Sequence, residues 1–165
     1  MGFLKKLGTD TAIYGLSSIV GRFLNYLLVP LYTAKMAAAT GGYGIVTHIY
    51  GYTALLLVLL TYGMETTLFR FLNKEGEDPG KVYTTILATV GVTSLAFVAC
   101  VFGFMGQIAP AMGYADHPAY IGSMCIVVAL DAFQAIMFSY LRAKKRPYKF
   151  AALKLLFIFL NIGLN

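Results

Sequence analysis

An all-α membrane protein is the fold class this sequence predicts, and three observations predict it. Hydrophobic residues make up 59% of the 165 positions and charged ones only 12%, where a soluble domain carries about 25% charge to cover its surface. The mean hydropathy is +0.73. The apolar residues gather into five long runs separated by short polar segments, so bilayer replaces water as the main solvent. The length would allow one soluble domain, but the charge deficit excludes it.

The runs are taken here as spans 1 to 5. Span 1 covers residues 11–32, with Pro30 near its end bending the helix about one turn earlier, near Tyr26. Lys5-Lys6 before it and Ala37-Ala38-Ala39 after it resemble a cleaved leader. Its apolar stretch exceeds the roughly 7–15 residues of such a leader, and Arg22 interrupts it, so it reads as a retained span. Gly41-Gly42 introduces span 2, residues 45–64; Asp78-Pro79-Gly80 introduces span 3, residues 83–105. His117-Pro118 precedes span 4, residues 119–141, and Arg146-Pro147 precedes span 5, residues 150–165. Spans 1 to 4 are 20 to 23 residues long, roughly 30–35 Å as helix against a hydrocarbon core of about 30 Å. Span 5 has 16 residues, ending in Asn161-Ile-Gly-Leu-Asn165 without a basic or polar stop, so the sequence reads as a segment cut inside its fifth span.

Tryptophan is absent, so tyrosine supplies the interfacial belt: Tyr32, Tyr43, Tyr83, Tyr114, Tyr120, Tyr140 and Tyr148 all lie near span ends. Cys100 and Cys125 fall inside apolar runs and read as small buried hydrophobes, neither a disulfide nor a metal pair.

Orientation follows from the loops. Lys5 and Lys6 precede span 1; Arg70, Lys74 and Lys81 separate spans 2 and 3; Arg142, Lys144, Lys145, Arg146 and Lys149 separate spans 4 and 5. The opposite loops hold Lys35 and no other Lys or Arg. Ten against one places the N-terminus in the cytoplasm. The same clustering assigns the +6 net charge to topology rather than to a nucleic-acid-binding face. The basic run 142–149 is first a topology determinant; a second reading lets it attract anionic membrane lipid or a diphosphate headgroup.

Arg22 lies 11 residues into span 1, roughly 16 Å along an axis of about 30 Å. A mid-membrane arginine costs at least about 2.5–3.5 kcal/mol and faces a partner or a wet cavity. It is either a structural pair that fixes helix packing or a cavity residue that meets an anionic substrate or a coupling carboxylate. Thr11, Gly15, Ser18, Arg22 and Asn25 recur at steps of four, three, four and three, on one helix face. The polar part of that stripe, Ser18, Arg22 and Asn25, needs protein or water opposite it, which favours the cavity.

Asp131 lies about 18 Å into span 4, near the depth of Arg22, with Gln134 following one turn later. Glu65, at the inner end of span 2, is within reach of headgroups or Arg70. Depth therefore makes Asp131 the better partner for Arg22, and a buried carboxylate able to hold a proton is what proton coupling requires. His48 near the outer end of span 2 reads as an interfacial hydrogen-bonding residue before a ligand. No Gly-rich loop ends in Gly-Lys-Ser/Thr, no His/Cys set has metal-ligand spacing and no nucleophile–base pair is present. No catalytic residue, metal or cofactor is expected, and the residues by themselves lead to a transporter or channel.

Four blocks carry a resemblance. They are Gly21-Arg-Phe-Leu-Asn-Tyr-Leu-Leu-Val-Pro-Leu-Tyr-Thr33, then Tyr43-Gly44-Ile-Val, then Leu59-Leu-Thr-Tyr-Gly-Met-Glu-Thr-Thr-Leu-Phe-Arg-Phe71, and Ser139-Tyr-Leu-Arg-Ala-Lys-Lys-Arg-Pro-Tyr-Lys149. In this order they resemble bacterial O-antigen and capsule flippases of the multidrug/oligosaccharidyl-lipid/polysaccharide exporter superfamily. The resemblance implies a two-lobed helical transporter with a central cavity, of which 1–165 forms most of the N-terminal transmembrane lobe and further C-terminal helices form the rest. It implies ion-coupled export of an undecaprenyl-diphosphate-linked oligosaccharide across the bacterial inner membrane, for lipopolysaccharide or capsule synthesis. By position, Arg22 matches a first-helix arginine that lines the cavity near the diphosphate, and Arg70 matches an arginine after the second helix. No family motif assigns a role to Asp131. Relatives often carry an acidic residue just before Tyr-Gly, where this sequence has Gly41-Gly42.

The nearest alternative is a cation-coupled multidrug exporter of the same superfamily, which calls for cavity carboxylates rather than a mid-span arginine. A membrane enzyme acting on polyprenyl-linked sugars needs an acid–base cluster in an outer loop, and residues 111–118 offer only Asp116 and His117. A small structural membrane subunit is disfavoured by the unfinished fifth span.

Overall fold

The computed structural model of the chain describes residues 8–9, 11–16, 19–20, 23, 30, 34 and 42–164, with the backbone alone for 43 and 161–164. All regular structure among them is helical, so the fold is all-α. The described residues of span 1 are all helical; Ser18, Arg22, Asn25 and the expected bend at Tyr26 lie outside the described residues. From residue 42 onward the order is α1 (Gly42–Thr61), α2 (Met64–Leu72), α3 (Pro79–Gly103), α4 (Met105–Ala111), α5 (Pro118–Ala143) and α6 (Pro147–Leu164). Among the described residues three stretches are long and apolar enough to cross a membrane: Gly44–Leu72, Pro79–Gly103 and Pro118–Ala143.

Turn chemistry explains where the helices depart from the expected spans. Span 2 was expected over 45–64; α1 stops at Thr61, and the chain turns through Tyr62 (φ 29°) and Gly63 (φ 74°) before α2 resumes. Glycine reaches that left-handed conformation without a Cβ clash, and an N–H from Tyr62 to the Val58 carbonyl (3.1 Å) holds the turn. Span 3 starts at Pro79 rather than 83 because the Asp78 carboxylate accepts from the Gly80 N–H at 2.8 Å. Pro79 fills the first helical position, where a missing N–H costs nothing. Pro118 and Pro147 likewise begin α5 and α6. Prolines that looked like loop punctuation are thus the first residues of helices. A one-residue break at Phe104 separates α3 from the short α4.

The chain divides into two compact units, Gly44–Tyr140 on its own and Met1–Tyr43 with Leu141–Asn165. In the first, one core layer joins Val101, Tyr114, Ile121, Met124, Cys125 and Val128, with Ile45, Ile49 and Leu56 of α1 packed on it. A second layer joins Leu68 of α2, Ile86 and Val90 of α3, and Ala132 and Ile136 of α5. Leu60 touches both layers. The pairings make α1, α3 and α5 alternate in direction, with 112–117 at one end and 73–78 at the other. Helix α5 is central: Ile121, Cys125, Val128, Ala132, Ile136 and Ser139 form a buried stripe at steps of three and four. Leu95 and Val58, 71% and 70% exposed, sit on outward faces where only lipid suits them. Cys100 is on such an outward face and Cys125 is fully buried, so the expectation of two buried cysteines holds for one.

In the second unit, α6 presents buried Phe150 to Tyr14, edge-to-face with ring centroids 5.0 Å apart.

Candidate functional site

Of the residues singled out in the sequence, Ser18, Arg22 and Asn25 lie outside the described residues, while Arg70 and Asp131 both belong to the unit Gly44–Tyr140. Two contacts link α2 to α5. The Ser139 hydroxyl, fully buried, donates to the Glu65 carboxylate at 2.7 Å. Asp131 lies eight residues back along α5 from that contact, and Arg70 lies five residues onward along α2. Leu68 of α2 also shares a core layer with Ala132 and Ile136 of α5.

Arg70 is exposed in the last turn of α2, and Glu65 stands in its first turn. Each charge faces the helix pole that favours it. The sequence offered Glu65 headgroups or Arg70 as partners; the structure gives it Ser139 on α5. Nothing local in the sequence flags Ser139, because its place on the buried stripe appears only when α5 is seen as the central helix.

Asp131 is half-buried, midway along α5. Met124 and Phe138, seven residues to either side and therefore on the same helix line, are buried at 5% and 9%. Leu130 next to it is 62% exposed. Asp131 thus stands at the edge of the protein-covered flank rather than on the lipid face, as a mid-span carboxylate requires.

Each end of the bundle is closed by aromatic contacts. At the 112–117 end, His48 Nδ1 lies 3.0 Å from the Tyr114 hydroxyl and its ring packs on Tyr52, while His117 stacks on Tyr120 at 5.2 Å. His48 is the hydrogen-bonding residue the sequence suggested. Tyr114, expected in the interfacial belt, is instead buried as its partner. At the 73–78 end, Tyr83 of α3 stacks on Tyr140 of α5 at 4.1 Å. Tyr120 and Tyr148 are exposed as belt residues should be.

Between α2 and the first half of α3 runs a groove of about 310 Å³, lined by Met64, Thr67 and Phe71 on one wall and Val82, Thr85, Ile86 and Thr89 on the other. Glu77 and Lys81 also line it. Glu77 is held by Lys74 at 3.2 Å, and Lys74 also caps the face of the Phe71 ring. Among the described residues no group of three or more His, Cys, Asp or Glu side chains could hold a metal ion. No family model, curated protein or solved structure matches the chain.

Proposed function

We propose that the chain forms part of an ion-coupled exporter that moves an undecaprenyl-diphosphate-linked oligosaccharide from the cytoplasmic to the periplasmic leaflet of a bacterial inner membrane. The observation that carries this reading is ionisable chemistry at mid-membrane depth, with Asp131 half-buried midway along α5 and Arg22 at a matching depth in span 1. Such residues line substrate and ion pathways far more often than they face lipid. The resemblance of the four sequence blocks then selects the cargo. In this scheme Arg22 meets the diphosphate, Ser18 and Asn25 supply hydrogen bonds beside it, and Arg70 receives the headgroup nearer the cytoplasmic face. Asp131 takes up and releases the coupling proton. In the two-lobed architecture that the resemblance implies, further helices of the same protein form the facing wall, and the N-terminus is cytoplasmic.

The test is surface glycan export in a flippase-null strain carrying the full-length protein. Arg22→Ala is expected to abolish export while the protein still inserts, and Arg22→Lys to keep part of it. Normal export by the Ala variant sinks the cavity role. A second reading, a cation-coupled multidrug exporter, is favoured by the half-buried Asp131 itself. If Asp131→Asn removes proton-driven efflux of cationic drugs and leaves glycan export intact, that reading replaces the first.

A further inference from the structure

We infer that the turn between α5 and α6 seats an anionic phospholipid, with the headgroup at Lys145, Arg146 and Lys149 and an acyl chain along the exposed face of α6. Backbone geometry pins the cations. The Lys145 N–H donates to the Arg142 carbonyl at 3.0 Å, and the Arg146 N–H donates to the Leu141 carbonyl at 3.1 Å. This pair of bonds closes a helix C-terminus when the next residue turns left-handed, a position glycine usually takes. Here Lys145 holds it at φ 49°. Buried Pro147 then starts α6, so both ends of the turn are fixed and ordering it costs a ligand little. Depth places the turn among headgroups. The apolar run of α5 ends at Leu141 after 23 residues, roughly 35 Å of helix against a hydrocarbon core of about 30 Å.

Charge and shape set the occupant. Lys145, Arg146 and Lys149 are exposed, and among the described residues their side chains have no ion-pair or hydrogen-bond partner. Residues 132–165 contain no Asp or Glu. The compact unit that holds the turn has ten Lys and Arg against one acid, Asp10. Setting all the acids expected on that side of the membrane, Asp10, Glu65, Glu75, Glu77 and Asp78, against the ten basic residues of the same loops leaves half of the cations uncompensated. Along α6, Lys149, Leu153, Leu156 and Leu160 recur at steps of four, three and four and so share one helix face. The three leucines are 41%, 53% and 51% exposed, whereas Phe150 and Ile158, turned away from that face, are buried. Cations heading an exposed apolar strip match a lipid, whose charged head and acyl chain follow in that order from the interface inward. A soluble anion would leave the leucines bare. This inference stands apart from the cargo, since it needs only a membrane around α5 and α6.

The test places photoreactive p-benzoylphenylalanine at Tyr148, which is 74% exposed beside the cations. The full-length protein so labelled is reconstituted into vesicles of equal parts phosphatidylglycerol and phosphatidylcholine, irradiated, and its adducts identified by mass spectrometry. Phosphatidylglycerol adducts are expected to exceed phosphatidylcholine adducts. The same label at exposed Tyr120, in a stretch 104–119 without Lys or Arg, is expected to show no preference. Lys145→Gly and Lys149→Gln each lower the preference at 148 about fivefold, and Lys145→Arg keeps it. Glycine is relaxed at positive φ, so Lys145→Gly does this without lowering the unfolding temperature. Equal adducts of the two lipids at 148 overturn the inference, as does a preference just as strong at 120. So does a Lys81→Gln control that lowers the preference as much as Lys149→Gln, which means general surface attraction. Crosslinks from 148 to another part of the protein in place of lipid overturn it as well.

Discussion

Two serines show how much the environment of one hydroxyl matters in this bundle. Ser139 is buried and donates to Glu65, while Ser94 of α3, buried at 5%, has no hydrogen-bond partner for its hydroxyl among the described residues. Truncating a partnered donor removes a hydrogen bond from a carboxylate, whereas truncating an unpartnered one removes a desolvation penalty. Ser139→Ala is therefore expected to lower unfolding free energy by about 1–3 kcal/mol, and Ser94→Ala to leave it unchanged or raise it. Thermal unfolding of both variants in the same detergent checks the contrast; equal losses would mean that the hydrogen bond to Glu65 contributes nothing. At this scale the sequence was legible only in part. It marked Asp131 and His48 by their chemistry, but Ser139 and Ser94 look alike in it, since each is a serine in an apolar run. What separates them is whether a carboxylate arrives from another helix.

Helix boundaries in this chain are set by side chains at the ends more than by the extent of apolar residues. The left-handed Gly63 separates α1 from α2, and the Asp78 cap with Pro79 starts α3 four residues ahead of its apolar run. Gly63→Ala should cost about 1–2 kcal/mol, since an L-residue with a Cβ is strained at that φ. Asp78→Ala should cost about 1 kcal/mol, and Asp78→Asn clearly less, because asparagine caps nearly as well. Urea titration of the four forms measures this; an Ala at 63 as stable as the parent would show that the turn relaxes. Spans 3 and 4 were legible to within a few residues because hydropathy reports the solvent along the chain. The break at Tyr62–Gly63 was not, because Tyr-Gly inside an apolar run carries no hydropathy signal.

At the scale of the whole molecule, the unit Gly44–Tyr140 is organised around the inner face of α5. Neighbouring positions on that helix should therefore respond in opposite ways. Ala132, fully buried between Ile86, Val90 and Ile136, has no room to grow, so Ala132→Leu is expected to cost about 1–3 kcal/mol by overpacking. Leu130 is largely exposed, and Leu130→Ala should stay within about 0.5 kcal/mol. Matched unfolding curves in one detergent give the comparison, and the reverse order would place the packed face of α5 on its other side.

The sequence by itself determined the solvent, the all-α class, the approximate spans and the polarity of their loops. Each of these depends on local composition, and a bilayer enforces local composition strictly. Only the tertiary structure decided which faces meet: Glu65 with Ser139, Tyr83 with Tyr140, His48 with Tyr114, and the open slot beside Lys81. The reason is physical. In water a helix shows its buried face by contrast with a polar one, but in lipid the packed and the exposed faces are both apolar. Rotation and register are then settled by shape and by a few polar side chains, and these become visible only once the helices stand together.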